Sequence, residues 1–300
     1  MYSTLLSQSD AHDDGIWAVK FTSSGHLLTG SVDETVKCWD FQKGLQNSAE
    51  FSGNVLQGFG LGVIQLASST TGDTIAVHSM DSVIRFISDE GQLVKTPIET
   101  TPIESWGVSM SPDGYLVASG GHSGFISIWN IESRAKVATL EHRGDFVLST
   151  CFSPDGRFIA CGQRNGTVAL IDIERNSVVF EVRDHSEPVR ALSFSSDGLF
   201  LATGSDDTTI CLYEAMTGSL IETFIGHSSW VLSVVWDQLS QRIFSSSADS
   251  TIRVWDLASR KCLHVIDSHS DQVWSLDVSF DGNYLASVGD DKKLCIYRIS

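Results

Sequence analysis

Basic charge is what this sequence has least of. Its 300 residues carry 20 Lys and Arg against 37 Asp and Glu, a formal net charge of −17. Holding nucleic acid by phosphate neutralisation needs concentrated Lys and Arg, so this balance speaks against it, and against anionic membrane surfaces for the same reason. Long apolar runs are missing too: no stretch approaches the ~18 residues a spanning helix needs. The start, Met1-Tyr2-Ser3-Thr4, has no basic segment followed by an apolar one. Cysteines are few and scattered: Cys38, Cys151, Cys161, Cys211, Cys262 and Cys295 include no CxxC pair and no metal-type cluster with His. We read them as free thiols of a reducing compartment. Since no basic targeting cluster stands out, the expected location is cytoplasmic, and nuclear in the company of a partner. No segment sustains helical periodicity.

What is present is a repeat. Trp39, Ile87, Trp129, Ile171, Tyr213, Trp255 and Tyr297 close one recurrent strand-like segment. Six residues before each lies Asp33, Asp81, Ser123, Asn165, Asp207, Asp249 and Asp291. Seven units of about 40–45 residues, each with four short strand signals, match a propeller period. In the sixth unit these predict strands over 231–236, 242–246, 251–256 and 261–266. Turn formers such as Ser153-Pro154-Asp155-Gly156 separate them. The predicted fold is all-β: a seven-bladed β-propeller forming one domain over residues 1–300. Leu5-Leu6 stand at the same offsets before His12 as Cys262-Leu263 do before His269. The N-terminal strand is therefore expected to complete the last blade and remove its open edge.

The units are not uniform. Between the first and second, about six extra residues within 41–60 predict a longer outer loop. The second unit has Phe59 in place of the His, within a Gly58-Phe59-Gly60-Leu61-Gly62 run. That run lacks the Lys and the strand-to-helix context of a phosphate loop. Pro102 stands at the His position of the third unit, and His142 of the fourth is out of register.

Four units keep a polar set: His12, Thr29, Asp33, Trp39; His185, Thr203, Asp207, Tyr213; His227, Ser245, Asp249, Trp255; and His269, Ser287, Asp291, Tyr297. A hydrolase needs one exposed nucleophile and an oxyanion hole, not four equivalent copies around a ring. The sets are therefore read as structural, with Asp bonded to His, His to the hydroxyl, and the hydroxyl to Trp or Tyr. The pairs Asp13-Asp14, Asp206-Asp207 and Asp290-Asp291 lack the spacing of an oxygen-ligand loop. No catalytic residue, metal or cofactor is expected.

If the sets share one face, two rings open there. The residue after the first core valine or its equivalent gives Trp17, Ile64, Trp106, Leu148, Arg190, Leu232 and Trp274. The residue before each turn Asp gives Val32, Met80, His122, Arg164, Asp206, Ala248 and Asp290. Trp and Arg are over-represented among binding hot spots. Trp17, Trp106, Leu148, Arg190, Leu232 and Trp274 are thus the candidate partner-binding residues.

Trp39-Asp40 and Trp255-Asp256, with their upstream His and Asp, resemble the WD-repeat family. Stretches such as Ala11 to Trp17, Glu104-Ser105-Trp106, Arg143 to Ser149, His227 to Leu232, Asp271 to Trp274 and Ser287 to Asp291 are similar to the WD-repeat subunits of the superkiller complex. That resemblance implies a non-enzymatic scaffold beside a helical-repeat protein and an RNA helicase, supporting exosome-mediated 3′–5′ mRNA decay. In animals it also implies the polymerase-associated factor complex, transcription elongation and histone modification. No direct contact with nucleic acid or membrane is expected, given the charge, and the propeller is expected to be monomeric on its own. The competing expectations are another WD-repeat scaffold, such as a histone-tail reader or ubiquitin-ligase substrate receptor, and, from another class, a propeller hydrolase.

Overall fold

Alternating β-branched and aromatic residues, cut every few positions by turn formers, leave the chain one economical solution: short antiparallel strands buried on both faces. In the computed structural model, which describes residues 2–47, 51–70, 73–100, 106–141, 144–237 and 241–299, these strands form seven four-stranded sheets. Six are consecutive meanders, and the seventh takes its outermost strand from the chain start. The protein is a seven-bladed β-propeller. In the sixth blade the strands run Val231–Asp237, Arg242–Ser247, Ile252–Asp256 and Lys261–Ile266, within one residue of the sequence expectation.

Inner and middle strands carry the core. Leu201, Ala202, Ile243, Phe244, Val254 and Leu285 are fully buried, because each blade is roofed by its neighbours. Small residues on the second strand make that roof fit. A Cβ on Gly30, Gly120, Gly162 or Gly204 would come within 2.4–2.7 Å of a Cγ1 of the next blade's Val63, Val147, Val189 or Val231. In the second blade this position is His78, fully buried. Burial pulls its imidazole down to about 4 and keeps it neutral.

The ring closes at two places. Ser3–Gln8 pairs antiparallel with Leu294–Arg298, with Leu6 opposite Ile296 and buried beside it. Tyr2 accepts a 2.6 Å hydrogen bond from Arg242 and stacks on His264. Nearer the axis, Asp277 of the last blade accepts from Lys20 Nζ (2.6 Å) and the Phe21 backbone N–H (2.7 Å) of the first. One expectation needs correction. The insertion after Asp40 is not wholly loop: Phe41–Gln46 forms a short helix capped by the Asp40 carboxylate, which accepts from Lys43 N–H. Six residues are too few to leave a readable helical period. Pro102 and His142 lie outside the described residues.

Candidate functional site

The turn between second and third strands and the loop entering each blade lie on one face, called the upper face here, because the polar sets tie them together. In the first blade Trp39 Nε1 donates to Thr29 Oγ1 (2.9 Å), Thr29 lies 2.7 Å from His12 Nε2, and His12 Nδ1 lies 3.0 Å from Asp33. The sixth repeats this with Trp255 to Ser245 (2.8 Å), Ser245 to His227 (2.8 Å) and His227 to Asp249 (2.9 Å). The seventh runs from Tyr297 to Ser287 (3.2 Å), His269 (2.7 Å) and Asp291 (2.9 Å). In the fifth, His185 bridges Thr203 (2.7 Å) and Asp207 (2.8 Å). There the expected last link is not made: the Tyr213 hydroxyl has no partner in hydrogen-bond geometry. Thr203 instead donates to the Cys211 carbonyl. These histidines and hydroxyls are buried, which closes them off from a substrate.

The four histidines do not share one electrostatic setting. In the first blade burial pulls His12 below its ordinary value, outweighing the pull of Asp33. The fifth and seventh blades shift the other way. Burial again pulls His185 and His269 down, but the bonds to Asp207 and Asp291, with the Cys211 and Cys295 thiols, outweigh it and raise both to about 9. Asp291 is correspondingly held down to about 2 by His269, against the upward pull of its own burial, and Asp207 is also held well below the usual range.

The linkage has a definite sign. A histidine raised from 6.5 to about 9 contributes stability that is full below pH 6.5 and lost as pH rises through 9. The lowered carboxylates contribute stability that is present above about pH 4 and lost as pH falls towards 2. Melting temperature is therefore expected to fall on both sides of a mildly acidic plateau. His185→Gln should flatten the alkaline limb; an unchanged limb in that variant would show the pairs do not carry it.

The second blade solves the same problem differently. Phe59, buried, replaces the histidine, and Asp81 is held by Arg85 through 2.7 and 3.2 Å bonds, with the guanidinium over the Phe59 ring. In every blade the residue after the turn Asp position has positive φ, from Glu34 to Lys292, though only Gly124 and Gly166 are glycine. Asp holds this turn by accepting from the N–H two residues on, as Asp249 does from Thr251 (3.0 Å).

Above the sets sits the rim. Trp17, Ile64, Leu148, Arg190, Leu232 and Trp274 each coincide with a register shift in the innermost strand, for example between Ile16 and Ala18 or between Val189 and Ala191. Each is the extra residue of a β-bulge, which re-aims a side chain out of the ladder. Trp106 stands at the equivalent place, one residue before the innermost strand Gly107–Met110 of the third blade. The side chains converge in three groups. Trp17 and Trp274 pack at 4.8 Å, and Trp17 Nε1 donates to Asp290 (3.0 Å). Trp106 meets Phe146 edge-on at 6.1 Å, and His122 packs on the same ring. Arg190 grips Asp206 with two bonds of 2.6 and 2.8 Å and lies over Trp230, which is 45% exposed.

The structure corrects part of the candidate list. Leu232 is buried, 7% exposed, so it is packing and not an open contact. Trp17, Trp106, Leu148, Arg190 and Trp274 are half-buried: one part of each anchors the rim and another remains accessible. Asp206 is not a free acid, since Arg190 occupies it. Phe146 and Trp230 were missed, although each stands one residue before the core valine and the same alignment holds them.

A family model for the second β-propeller of echinoderm microtubule-associated proteins matches residues 105–274, and the WD domain, G-beta repeat model matches 3–40 and 260–298. WD repeat-containing protein SL1-17 of Schistosoma mansoni is 35% identical over 153 residues, 49% of each chain. WD repeat-containing protein VIP3 of Arabidopsis thaliana is 34% identical over 144 residues, 45% of this chain and 42% of that protein. Cell division control protein 4 of Saccharomyces cerevisiae is 49% identical over 39 residues, 13% of this chain and 5% of that protein. The chain thus spans about half the length, or less, of the curated relatives it matches.

Proposed function

The chain belongs to the WD-repeat β-propeller family, and from that premise we propose that it is a non-enzymatic scaffold of the superkiller complex that holds partner segments on its upper rim. The observation that carries this reading is the convergence of Trp17 with Trp274, Trp106 with Phe146, and Arg190 with Trp230, at or beside the bulged positions. Half-buried aromatics held by neighbours lose little side-chain entropy when a partner covers them, the usual condition of a binding hot spot. The superkiller assignment rests on the sequence stretches similar to that complex's WD-repeat subunits. On it, a helical-repeat protein is the direct partner, with the RNA helicase in the same assembly, in the cytoplasm. The same rim serves the polymerase-associated factor complex in the nucleus. A basic-tail reader fits less well, because Arg190 already neutralises Asp206.

Affinity purification of the tagged native protein is expected to recover the helical-repeat and helicase subunits. Trp106→Ala and Trp274→Ala should each lose them while melting within a few degrees of the parent. Recovery of neither a superkiller nor a polymerase-associated subunit by the parent protein would sink the assignment. A collapse of melting in both variants would instead place the indoles in the core.

A further inference from the structure

The lower face carries a second feature that the upper-rim reading does not use. Two cavities, of about 370 and 310 Å³, sit side by side there, one between blades 5 and 6 and one between blades 4 and 5. They share the turn at Ser196 and Asp197. Phe200, Leu212, Phe224, Trp236 and Leu257 line the first; Phe158, Leu170, Phe194 and Met216 line the second.

Comparison with the seam between blades 7 and 1 gives the origin of these cavities. There Phe41 fills the corresponding place, packed edge-on against Phe21 at 5.4 Å and Tyr284 at 4.9 Å. Phe41 stands two residues after the repeat's Trp39. Two after Trp255 and Tyr213 come Leu257 and Ala215, which leave the same space open. Apolar walls therefore face solvent where the first blade has a ring. Leu199 and Met216, 58% and 48% exposed, extend the apolar rim.

Charge selects the occupant. Asp155, Asp197 and Glu222 line the two cavities, and Arg260, bonded to Glu222 at 3.2 Å, is the one cation among their described lining residues. The chain as a whole is strongly acidic. Polyanions are repelled from such a groove, while an apolar segment flanked by Lys or Arg gains both burial and electrostatic steering.

We propose that this groove is a second docking site, on the face opposite the rim, for a partner segment that places two apolar side chains in the cavities and basic residues against their acidic walls. The propeller then joins two partners, one on each face. Occupation of the two faces is independent in this scheme, so failure of the rim reading leaves it standing.

The test uses the full chain and short fluorescein-labelled peptides titrated by fluorescence polarisation, with the Trp236 indole N–H as a nuclear magnetic resonance reporter. That N–H donates to the Ser193 carbonyl at 2.9 Å and lies in the cavity wall. A peptide of Leu and Phe interspersed with Lys and Arg is expected to bind and shift the Trp236 signal, more weakly as salt rises. The peptide with Glu in place of Lys and Arg should not bind. Ala258→Arg, at the exposed mouth, and Glu222→Lys should each weaken binding roughly tenfold with unchanged melting, and Trp274→Ala should leave it intact. The proposal is overturned by absence of binding, by equal binding of the acidic peptide, or by indifference to both groove variants. It is equally overturned if Trp274→Ala abolishes binding, which moves the peptide to the rim. Concentration-dependent self-association abolished by Ala258→Arg would make the occupant a second copy and overturn it too.

Discussion

Deleting residues 1–8 is expected to lower the melting temperature by roughly 8 °C and to drive the protein into aggregates on size-exclusion chromatography. The deletion removes Ser3–Gln8, the outermost strand of the last blade, and so opens the edge of Leu294–Arg298. Leu294, Cys295, Ile296 and Tyr297 are fully buried in the closed ring. Without the strand their blade presents unpaired backbone donors and acceptors beside apolar side chains, a template for pairing with another chain. The loss combines several ladder bonds at about 1 kcal/mol each with the burial of Leu6 and the packing of Tyr2, together roughly 5 kcal/mol. In a domain of this size that corresponds to roughly 8 °C. Leu6→Asp should reproduce part of the effect at full length, and a synthetic peptide spanning residues 1–10 should restore part of the lost stability in trans. Near-parental melting of the deletion would show that the seam through Lys20 and Asp277 closes the ring unaided.

Asp249→Ala, like its equivalents at Asp33 and Asp207, should be among the most damaging single substitutions in the polar sets, costing about 3–5 kcal/mol. One carboxylate there accepts four bonds: from His227 Nδ1 at 2.9 Å, Ser228 N–H at 2.9 Å, Thr251 N–H at 3.0 Å and Thr251 Oγ1 at 2.6 Å. Its removal strands a buried histidine donor and releases the left-handed turn at Ser250, where φ is +68°. Asp249→Asn keeps an acceptor and should recover about half the loss. Asp81→Ala provides the internal comparison. Its carboxylate also holds the turn, accepting from Val83 N–H and Ser79, but its ion partner is Arg85 in a pair about one-fifth exposed and so partly screened; the cost should be lower, about 2 kcal/mol. Chemical denaturation of the three variants decides it: equal losses at positions 81 and 249 would mean that the histidine chain adds nothing to the turn.

Much of this fold was legible from the chain because a repeat multiplies weak local signals. One unit with a Trp, an upstream Asp and an Asp-Gly turn is ambiguous; seven in phase specify a closed ring, and the offset of Leu5-Leu6 before His12 specifies how it closes. The polar sets were legible for the same reason: four copies cannot all be one active site. The helix at 41–46 was not legible, being shorter than any period that would betray it. Nor was the missing bond of Tyr213, whose hydroxyl does not meet Thr203 in hydrogen-bond geometry once the blade is packed.

The candidate surfaces divide along the same line. Position along the repeat brought Trp17, Trp106, Arg190 and Trp274 to one ring by sequence alone. Which side chains stay accessible was decided by tertiary structure, since a bulge in six of the seven innermost strands turns those residues out of the ladder, Trp106 stands just before its strand, and Leu232 is buried nonetheless. Trp17 finds Trp274 only because the first and last blades become neighbours, 257 residues apart in the chain. The lower groove is a tertiary fact altogether. Ala215 and Leu257 are unremarked apolar residues in the sequence, and only the packing of adjacent blades converts the volume they lack, relative to Phe41, into cavities. Local pattern sets strands, turns and ring closure because it acts over a few residues; surfaces and voids arise where blades meet, and no short stretch of sequence contains both sides of a seam.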